Sequence, residues 1–206
     1  MMSGEIPVDQ YITKEEAERI FDFFKNCPLF RWSDSHNDCE DRANAVCILL
    51  DAWHIPNYKG WVFSGYFLKK GFGSLHNYWN FHVAAGLPVK ENGRVVAYIL
   101  DPSTADRLMP LAAWAENITL TPYSYHLVKP GHYYIFPPKK IARDNWYKRD
   151  KRNLRWTMQG LTGINGVSPK GRAQLCFNKR WVRETEKRFA QLERSSLFRS
   201  PAGWGS

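Results

Sequence analysis

The hydrophobic pattern of the chain changes from a helical to a strand-like period between His54 and Gly60. Up to His54, apolar residues recur at the three- and four-residue intervals of helices. From Gly60 onward, short runs of aromatic and β-branched residues are separated by Gly and Pro. Helices followed by strands indicate an α+β fold, in which the helices pack against an antiparallel sheet.

Local signals set the expected boundaries of these elements. Thr13 and Glu16 have the spacing of a capping box, which predicts a helix to about Lys25. A second, buried helix is predicted from Asp38 to about His54. Strands are predicted over residues 61–68, 78–84, 95–100, 123–128 and 132–136, with an Asn92-Gly93 hairpin and with Gly86 and Pro88 in connections.

Basic residues are concentrated in the last third of the 206-residue chain. Residues 1–138 hold 12 Lys and Arg against 15 Asp and Glu, whereas residues 139–206 hold 17 against 5. We predict a catalytic core over 1–138 and a basic, mainly helical extension of the same domain over 139–199. This extension is expected to contain a Gly-rich loop over 160–171 and a helix over 178–193, and residues 200–206 a flexible tail.

Several protein classes are excluded by composition and motifs. No apolar stretch reaches the roughly 18 to 20 residues of a membrane helix, and the start of the chain lacks the pattern of a signal peptide. The expected location is the cytoplasm, or the outside of the cell by a signal-peptide-independent route, as for a toxin or effector. The four cysteines form no CxxC pair of the kind that zinc and redox sites use, so we expect mostly free thiols and no metal bound by them.

Three residue types suited to acyl chemistry follow one another along the chain. Cys39 lies at the predicted start of the second helix, where unpaired backbone N–H groups and the helix dipole favour a thiolate. His82 lies in a strand-like run, and Asp101 ends the next such run. Adjacent antiparallel strands would let Asp101 orient the imidazole of His82, which would act as general base toward Cys39.

The surroundings of these residues resemble the motifs of the bacterial protein glutaminases. The segment Asp38-Cys39-Glu40-Asp41-Arg42-Ala43 is similar to their cysteine motif, and His82-Val83-Ala84 and Asp101-Pro102-Ser103 follow 43 and 19 residues further on. The resemblance covers about residues 32–103. It implies a papain-like or transglutaminase-like core, with the nucleophile on a helix N-terminus packed against an antiparallel sheet. It also implies hydrolysis of glutamine side-chain amides in a protein or peptide, without a cofactor.

The chain departs from that family at the residues beside the nucleophile. Glu40 and Asp41 form a more acidic pair than expected, and their charges would oppose a thiolate unless they point to solvent. An oxyanion hole needs two donors, for which the backbone N–H of Cys39 is one candidate. Asn37 and Ser35 are candidates for the second donor. Trp32 and Trp79 are candidates for the walls of the acyl pocket.

Two other functions fit parts of the sequence. The same thioester could be resolved by an amine, which gives transglutaminase-type acyl transfer. Alternatively, the basic third interleaves cations with aromatics, as in Lys179-Arg180-Trp181, and this pattern is typical of a non-catalytic module that binds nucleic acid or protein. In an enzyme, the same surface would serve an acidic partner.

Overall fold

A computed structural model describes residues 10–33, 39–64, 81–119, 123–128, 151–163, 173–174, 176, 178–195 and 197–198. Its helices are α1 (Lys14–Asn26), α2 (Cys39–Ala52), α3 (Leu111–Ile118), α4 (Lys151–Leu161) and α5 (Lys179–Arg194). Its strands are β1 (Tyr58–Ser64), β2 (Phe81–Glu91), β3 (Arg94–Leu100), β4 (Met109–Pro110) and β5 (Tyr123–Val128). They form one antiparallel sheet in the order β4-β3-β2-β1-β5. The architecture is α+β, as the sequence predicts.

Alternate residues of the central strands bury the two faces of the sheet against different helices. On one face, Ala85 and Leu87 of β2 belong to the large core that also contains the buried side of α2. On the other face, Ala84 packs in a second core with Val62 and with Trp114 of α3. The sequence pattern did not predict α3, which covers the face of the sheet opposite α2.

Two local predictions are confirmed. The Thr13 hydroxyl accepts a hydrogen bond from the Glu16 backbone while the Glu16 carboxylate accepts one from the Thr13 backbone, so the capping box is complete. Asn92 and Gly93 form the tight turn between β2 and β3. Both have the positive φ angles, 50° and 78°, that such a hairpin requires.

The prediction that Gly86 and Pro88 lie in connections is wrong, because both belong to β2. A Cβ at Gly86 would overlap the ring of Tyr58, so glycine is required there by packing. The pairing with β1 ends at Gly86, so the missing N–H of Pro88 interrupts no hydrogen bond to that strand. Beyond this point Ile12 bridges to β2 and donates its N–H to the Pro88 carbonyl.

The C-terminal helices cover the outer side of α2. The predicted start of the Gly-rich loop at residue 160 is wrong, because Gly160 lies inside α4. The Cα of Gly160 packs directly against the Asp41 carboxylate of α2. The side chain of Asn44 donates to the Thr157 hydroxyl of α4 at 2.8 Å. Further along, the Trp53 indole donates to the carbonyl of Leu192 in α5 at 2.9 Å. As a result, α2 is buried on nearly all sides.

The predicted strand over 132–136 and the C-terminal tail lie outside the described residues. All four cysteines are free thiols. Among the described helices, none combines the length and the apolar character needed to span a bilayer.

Candidate active site

Cys39 is the first residue of α2 and faces the sheet. Its side chain packs with Ala43, Trp61 and Val83, and only 8% of the residue is exposed. Its position at the helix start leaves its backbone N–H outside the helical hydrogen-bond ladder. A donor at this position is suited to an oxyanion borne by a carbon atom that has become bonded to the Cys39 sulfur.

The surroundings of Cys39 keep its thiol protonated. Burial raises the thiol pKa well above its ordinary value, and the negative charge of Glu40 raises it further. The Glu40 Oε2 atom lies 3.5 Å from Sγ, so this carboxylate points toward the thiol and not to solvent. A hydrogen bond with the Val83 backbone and the charge of Arg42 act in the opposite direction. Burial and Glu40 thus act against the thiolate that the helix N-terminus is expected to favour.

His82 and Asp101 lie side by side on adjacent strands. The register pairs Ala85 with Leu100, so Asp101, the next residue after β3, lies beside the start of β2. His82 Nε2 is 2.8 Å from Asp101 Oδ2, and both side chains are almost completely buried. This contact fixes the proton on Nε2 when the imidazole is neutral, which leaves the lone pair on Nδ1.

Three further side chains hold the Asp101 carboxylate in place. Thr104 donates its hydroxyl to Oδ2, and the Trp114 indole donates to the same oxygen at 3.2 Å. Ser103 donates its backbone N–H and its hydroxyl to Oδ1. Burial alone would raise the pKa of Asp101, but the charge of His82 and these hydrogen bonds outweigh it and hold the pKa well below its usual range. The carboxylate is therefore ionised and oriented.

Cys39 and Asp101 line the same small cavity, together with Trp32, Val83 and Ser103. Its volume of about 10 Å³ is comparable to the space that one water molecule requires. Of the four residues that the sequence suggested around the nucleophile, the structure thus places Trp32 at the cavity. The other three, Ser35, Asn37 and Trp79, lie outside the described residues.

Arg42 anchors the segment that forms one side of this cavity. Its guanidinium donates to the backbone carbonyls of Arg31 and Trp32 at 3.3 and 3.4 Å, and it lies 5.7 Å from the centre of the Trp32 ring. The Trp32 indole in turn donates to the Phe24 carbonyl at 2.7 Å. Arg42 thereby fixes the position of Trp32 relative to α2.

Sequence reasoning missed Trp114 and Thr104 as partners of Asp101. Ser103 and Thr104 directly follow Asp101 and Pro102, so hydroxyls in this turn were a readable signal for support of the carboxylate. Trp114 offered no such signal, because its contact with Asp101 depends on how α3 packs against the sheet.

Neutralising Glu40 is expected to make Cys39 more reactive. In Glu40→Gln, removal of the carboxylate charge lowers the pKa of the thiol and increases the thiolate fraction at pH 7. We expect the pH midpoint of alkylation by iodoacetamide to move to lower pH, with a rate at pH 7 that is roughly threefold or more above wild type. Peptide mass analysis in a Cys176→Ala background measures this rate at Cys39 alone.

Glu18→Gln is the matched control, because Glu18 is exposed on α1 and the substitution removes the same charge. Its alkylation profile should coincide with that of the wild type. A Glu40→Gln profile equal to that of this control would show that Glu40 does not act on the thiol.

The sequence matches the model of a family described as glutaminase over residues 17–118, about half of the chain. This range contains Cys39, His82 and Asp101. No curated protein matches the sequence.

Solved protein-glutaminase structures share the fold. The NMR structure of the enzyme from Chryseobacterium proteolyticum aligns with a TM-score of 0.60 at 18% identity, over 77% of this chain and 92% of that one. A crystal structure of protein-glutaminase aligns with a TM-score of 0.54, also at 18% identity, over 73% and 88% of the two chains. A mutant of the pro-form aligns with a TM-score of 0.59 at 18% identity, over 78% of this chain and 61% of that one. The chain therefore belongs to this glutaminase family and has the fold of the solved protein-glutaminases.

Proposed function

We propose that this protein deamidates glutamine side chains in a protein or peptide substrate, with Cys39 as nucleophile, His82 as general base and Asp101 as the residue that orients His82. The family membership supports the reaction class. The observation that carries the assignment of residues is the buried 2.8 Å contact of His82 with Asp101, next to the cavity that Asp101 shares with Cys39.

In this mechanism His82 removes the proton from Cys39 as the sulfur attacks the side-chain carbonyl carbon of glutamine. Nε2 keeps its proton and its hydrogen bond to Asp101, so Nδ1 is the atom that accepts the thiol proton. The ionised Asp101 stabilises the imidazolium that results. The carbonyl oxygen becomes an oxyanion, for which the backbone N–H of Cys39 is a donor.

Collapse of the tetrahedral intermediate breaks the carbon–nitrogen bond. The imidazolium of His82 donates its Nδ1 proton to the leaving nitrogen, which departs as ammonia and leaves a thioester on Cys39. Water then attacks the thioester carbon while His82 accepts one of its protons. Cleavage of the carbon–sulfur bond releases the glutamate side chain and returns the proton to the thiol.

The protonated state of Cys39 supports a base-assisted attack in place of a preformed thiolate. A thiol whose pKa is raised by burial and by Glu40 is not ionised at neutral pH. It therefore needs a general base during the attack, and in this mechanism that base is His82.

Replacing Cys39 by alanine is expected to abolish ammonia release from a glutamine-containing protein, because no other group would form the thioester. The fold should persist, since the substitution removes a single sulfur atom from a site that opens onto a cavity. Ammonia release and the melting temperature are measured together for the variant and the wild type.

Cys176→Ala is the control, since Cys176 is exposed and its removal should leave activity at the wild-type level. Ammonia release that survives in Cys39→Ala would refute the assignment of the nucleophile.

The mass of the protein product distinguishes deamidation from acyl transfer to an amine. Deamidation adds about one mass unit per glutamine, whereas transfer to an amine adds the mass of that amine less ammonia.

A further inference from the structure

A second, larger cavity lies between the segment before α2 and the first half of α5. Its volume is about 410 Å³, and its lining includes Leu29, Arg31, Arg180, Trp181, Glu184 and Arg188. We call the cavity that these residues line the basic cleft. The guanidinium groups of three arginines line it together with a single carboxylate, that of Glu184. The basic cleft therefore favours a negatively charged ligand.

Arg31 holds an unfavourable backbone conformation at the edge of the basic cleft. Its φ angle of 46° lies in the left-handed region, which non-glycine residues rarely adopt. Its carbonyl accepts a hydrogen bond from Arg42, and its side chain donates to the Thr162 carbonyl at 2.8 Å. The guanidinium also lies 5.1 Å from the centre of the Trp181 ring. These contacts hold the guanidinium of Arg31 in the cleft.

The basic cleft and the cavity of Cys39 are lined by consecutive residues of one segment. Arg31 lines the cleft, and the next residue, Trp32, lines the cavity of Cys39. Arg42, in the first turn of α2, donates to the carbonyls of both residues. A polypeptide that contacts the basic cleft would therefore have neighbouring residues within reach of Cys39.

The composition of the basic cleft favours acidic side chains of a polypeptide over a nucleic acid. Guanidinium groups bind carboxylates through paired hydrogen bonds, and Leu29 with the half-exposed ring of Trp181 offers apolar surface to the rest of a peptide. The carboxylate of Glu184, which lies 3.5 Å from the Lys187 ammonium, can accept hydrogen bonds from peptide N–H groups, which a phosphate backbone does not have. The volume corresponds to a few side chains, which fits a short segment.

We propose that the basic cleft binds an acidic segment of the polypeptide substrate and thereby presents a nearby glutamine to Cys39. The binding of acidic segments is a property of the cleft alone. The presentation of glutamine rests on the proposed function. The two parts are tested separately, so that the failure of one can be told from the failure of the other.

The first test measures binding of a fluorescein-labelled peptide that contains several Glu residues and no glutamine, by fluorescence anisotropy. In the double variant Arg180→Glu/Arg188→Glu, the affinity should fall by about tenfold or more, because two attractive charges become repulsive. The control is Lys179→Glu/Arg183→Glu, which reverses two exposed charges on the same helix that do not line the basic cleft. It should change the affinity by less than about threefold. Thermal melting verifies that both variants are folded.

The second test compares ammonia release from two glutamine peptides, one with Glu residues near the glutamine and one with Ser in their place. The wild type should have a lower KM for the acidic peptide, and Arg180→Glu/Arg188→Glu should lose this preference. The control variant should keep it. If the acidic peptide binds as expected but neither peptide releases ammonia, the proposed function fails and the acidic-segment site stands.

Three results would overturn the proposal. The double variant could bind the acidic peptide as tightly as the wild type does, or the control variant could lose as much affinity as the double variant. A single-stranded oligonucleotide that binds more tightly than the peptide, with the same dependence on Arg180 and Arg188, would assign the basic cleft to nucleic acid instead.

Discussion

Asp101→Asn is expected to lower kcat for ammonia release by about 10⁴-fold, the loss that is typical when the orienting carboxylate of a triad becomes an amide. Both oxygens of Asp101 already accept hydrogen bonds, Oδ2 from Thr104 and Trp114 and Oδ1 from Ser103. An amide nitrogen at either position would therefore face donors. The variant also lacks the charge that stabilises the imidazolium of His82.

The loss of these hydrogen bonds also has a structural cost. Donors left unsatisfied in a buried site cost about 1–3 kcal/mol each, so the melting temperature should fall as well. Activity is therefore measured at a temperature at which the variant is fully folded by circular dichroism. Asp106→Asn is the control, because Asp106 is exposed in the same turn region and its side chain should not affect kcat. A folded Asp101→Asn variant with wild-type kcat would exclude Asp101 from the mechanism.

Gly160→Ala is expected to destabilise the fold by about 2 kcal/mol or more, although the same change stabilises most helices. In a helix interior, alanine is favoured over glycine by about 1 kcal/mol. Here the new methyl group would overlap the carboxylate of Asp41 and come within 2.5 Å of its Cβ. Overpacking between buried helices costs about 1–3 kcal/mol or more, and the clash with a charged group at the start of α2 places this site at the upper end.

Urea unfolding measures the effect of Gly160→Ala on the free energy of unfolding. Gly93→Ala separates the clash from a general cost of replacing glycine, since a Cβ at Gly93 meets nothing within 4 Å. Its positive φ of 78° should cost only about 1 kcal/mol. A Gly160→Ala variant as stable as the wild type would contradict this prediction. It would mean that α2 and α4 can move apart without a loss of stability.

Sequence reasoning succeeded where the signal was local or where several motifs followed one another. Thr13 and Glu16 fixed the start of α1, and Asn92-Gly93 fixed the hairpin, because both depend on residues a few positions apart. The ordered motifs at Cys39, His82 and Asp101 indicate the family that the family model also matches. The roles of these three residues remain predictions.

The errors lie where distant residues decide the local structure. Glycine disfavours strands, so the sequence predicts a connection at Gly86, yet the ring of Tyr58 occupies the space that any other side chain would need. The glycines of 160–171 predict a loop that includes Gly160, yet Gly160 lies in a helix, where the Asp41 carboxylate leaves no room for a side chain. Neither contact can be read from the neighbours of these glycines in the sequence.

The orientation of the Glu40 side chain could not be predicted from the sequence for a different reason. The sequence showed that an acidic residue follows Cys39, but its effect on the thiol depends on whether the carboxylate points to Sγ or to solvent. That choice is a rotamer, and in this structure it adds to the effect of burial on the pKa of the Cys39 thiol. A carboxylate next to a thiol therefore predicts the direction in which the thiol pKa moves, whereas the size of the shift depends on the rotamer.

The burial of α2 beneath α4 and α5 has a consequence for biosynthesis. More than 100 residues separate Asn44 from its partner Thr157, and Trp53 from Leu192. While the chain is being synthesised, the first half can pair its strands, but the outer side of α2 stays uncovered until α4 and α5 emerge. Cys39 begins α2, so the helix that carries it is fully packed only after residues 151–194 have left the ribosome. Nascent chains that lack these residues should therefore have little or no activity.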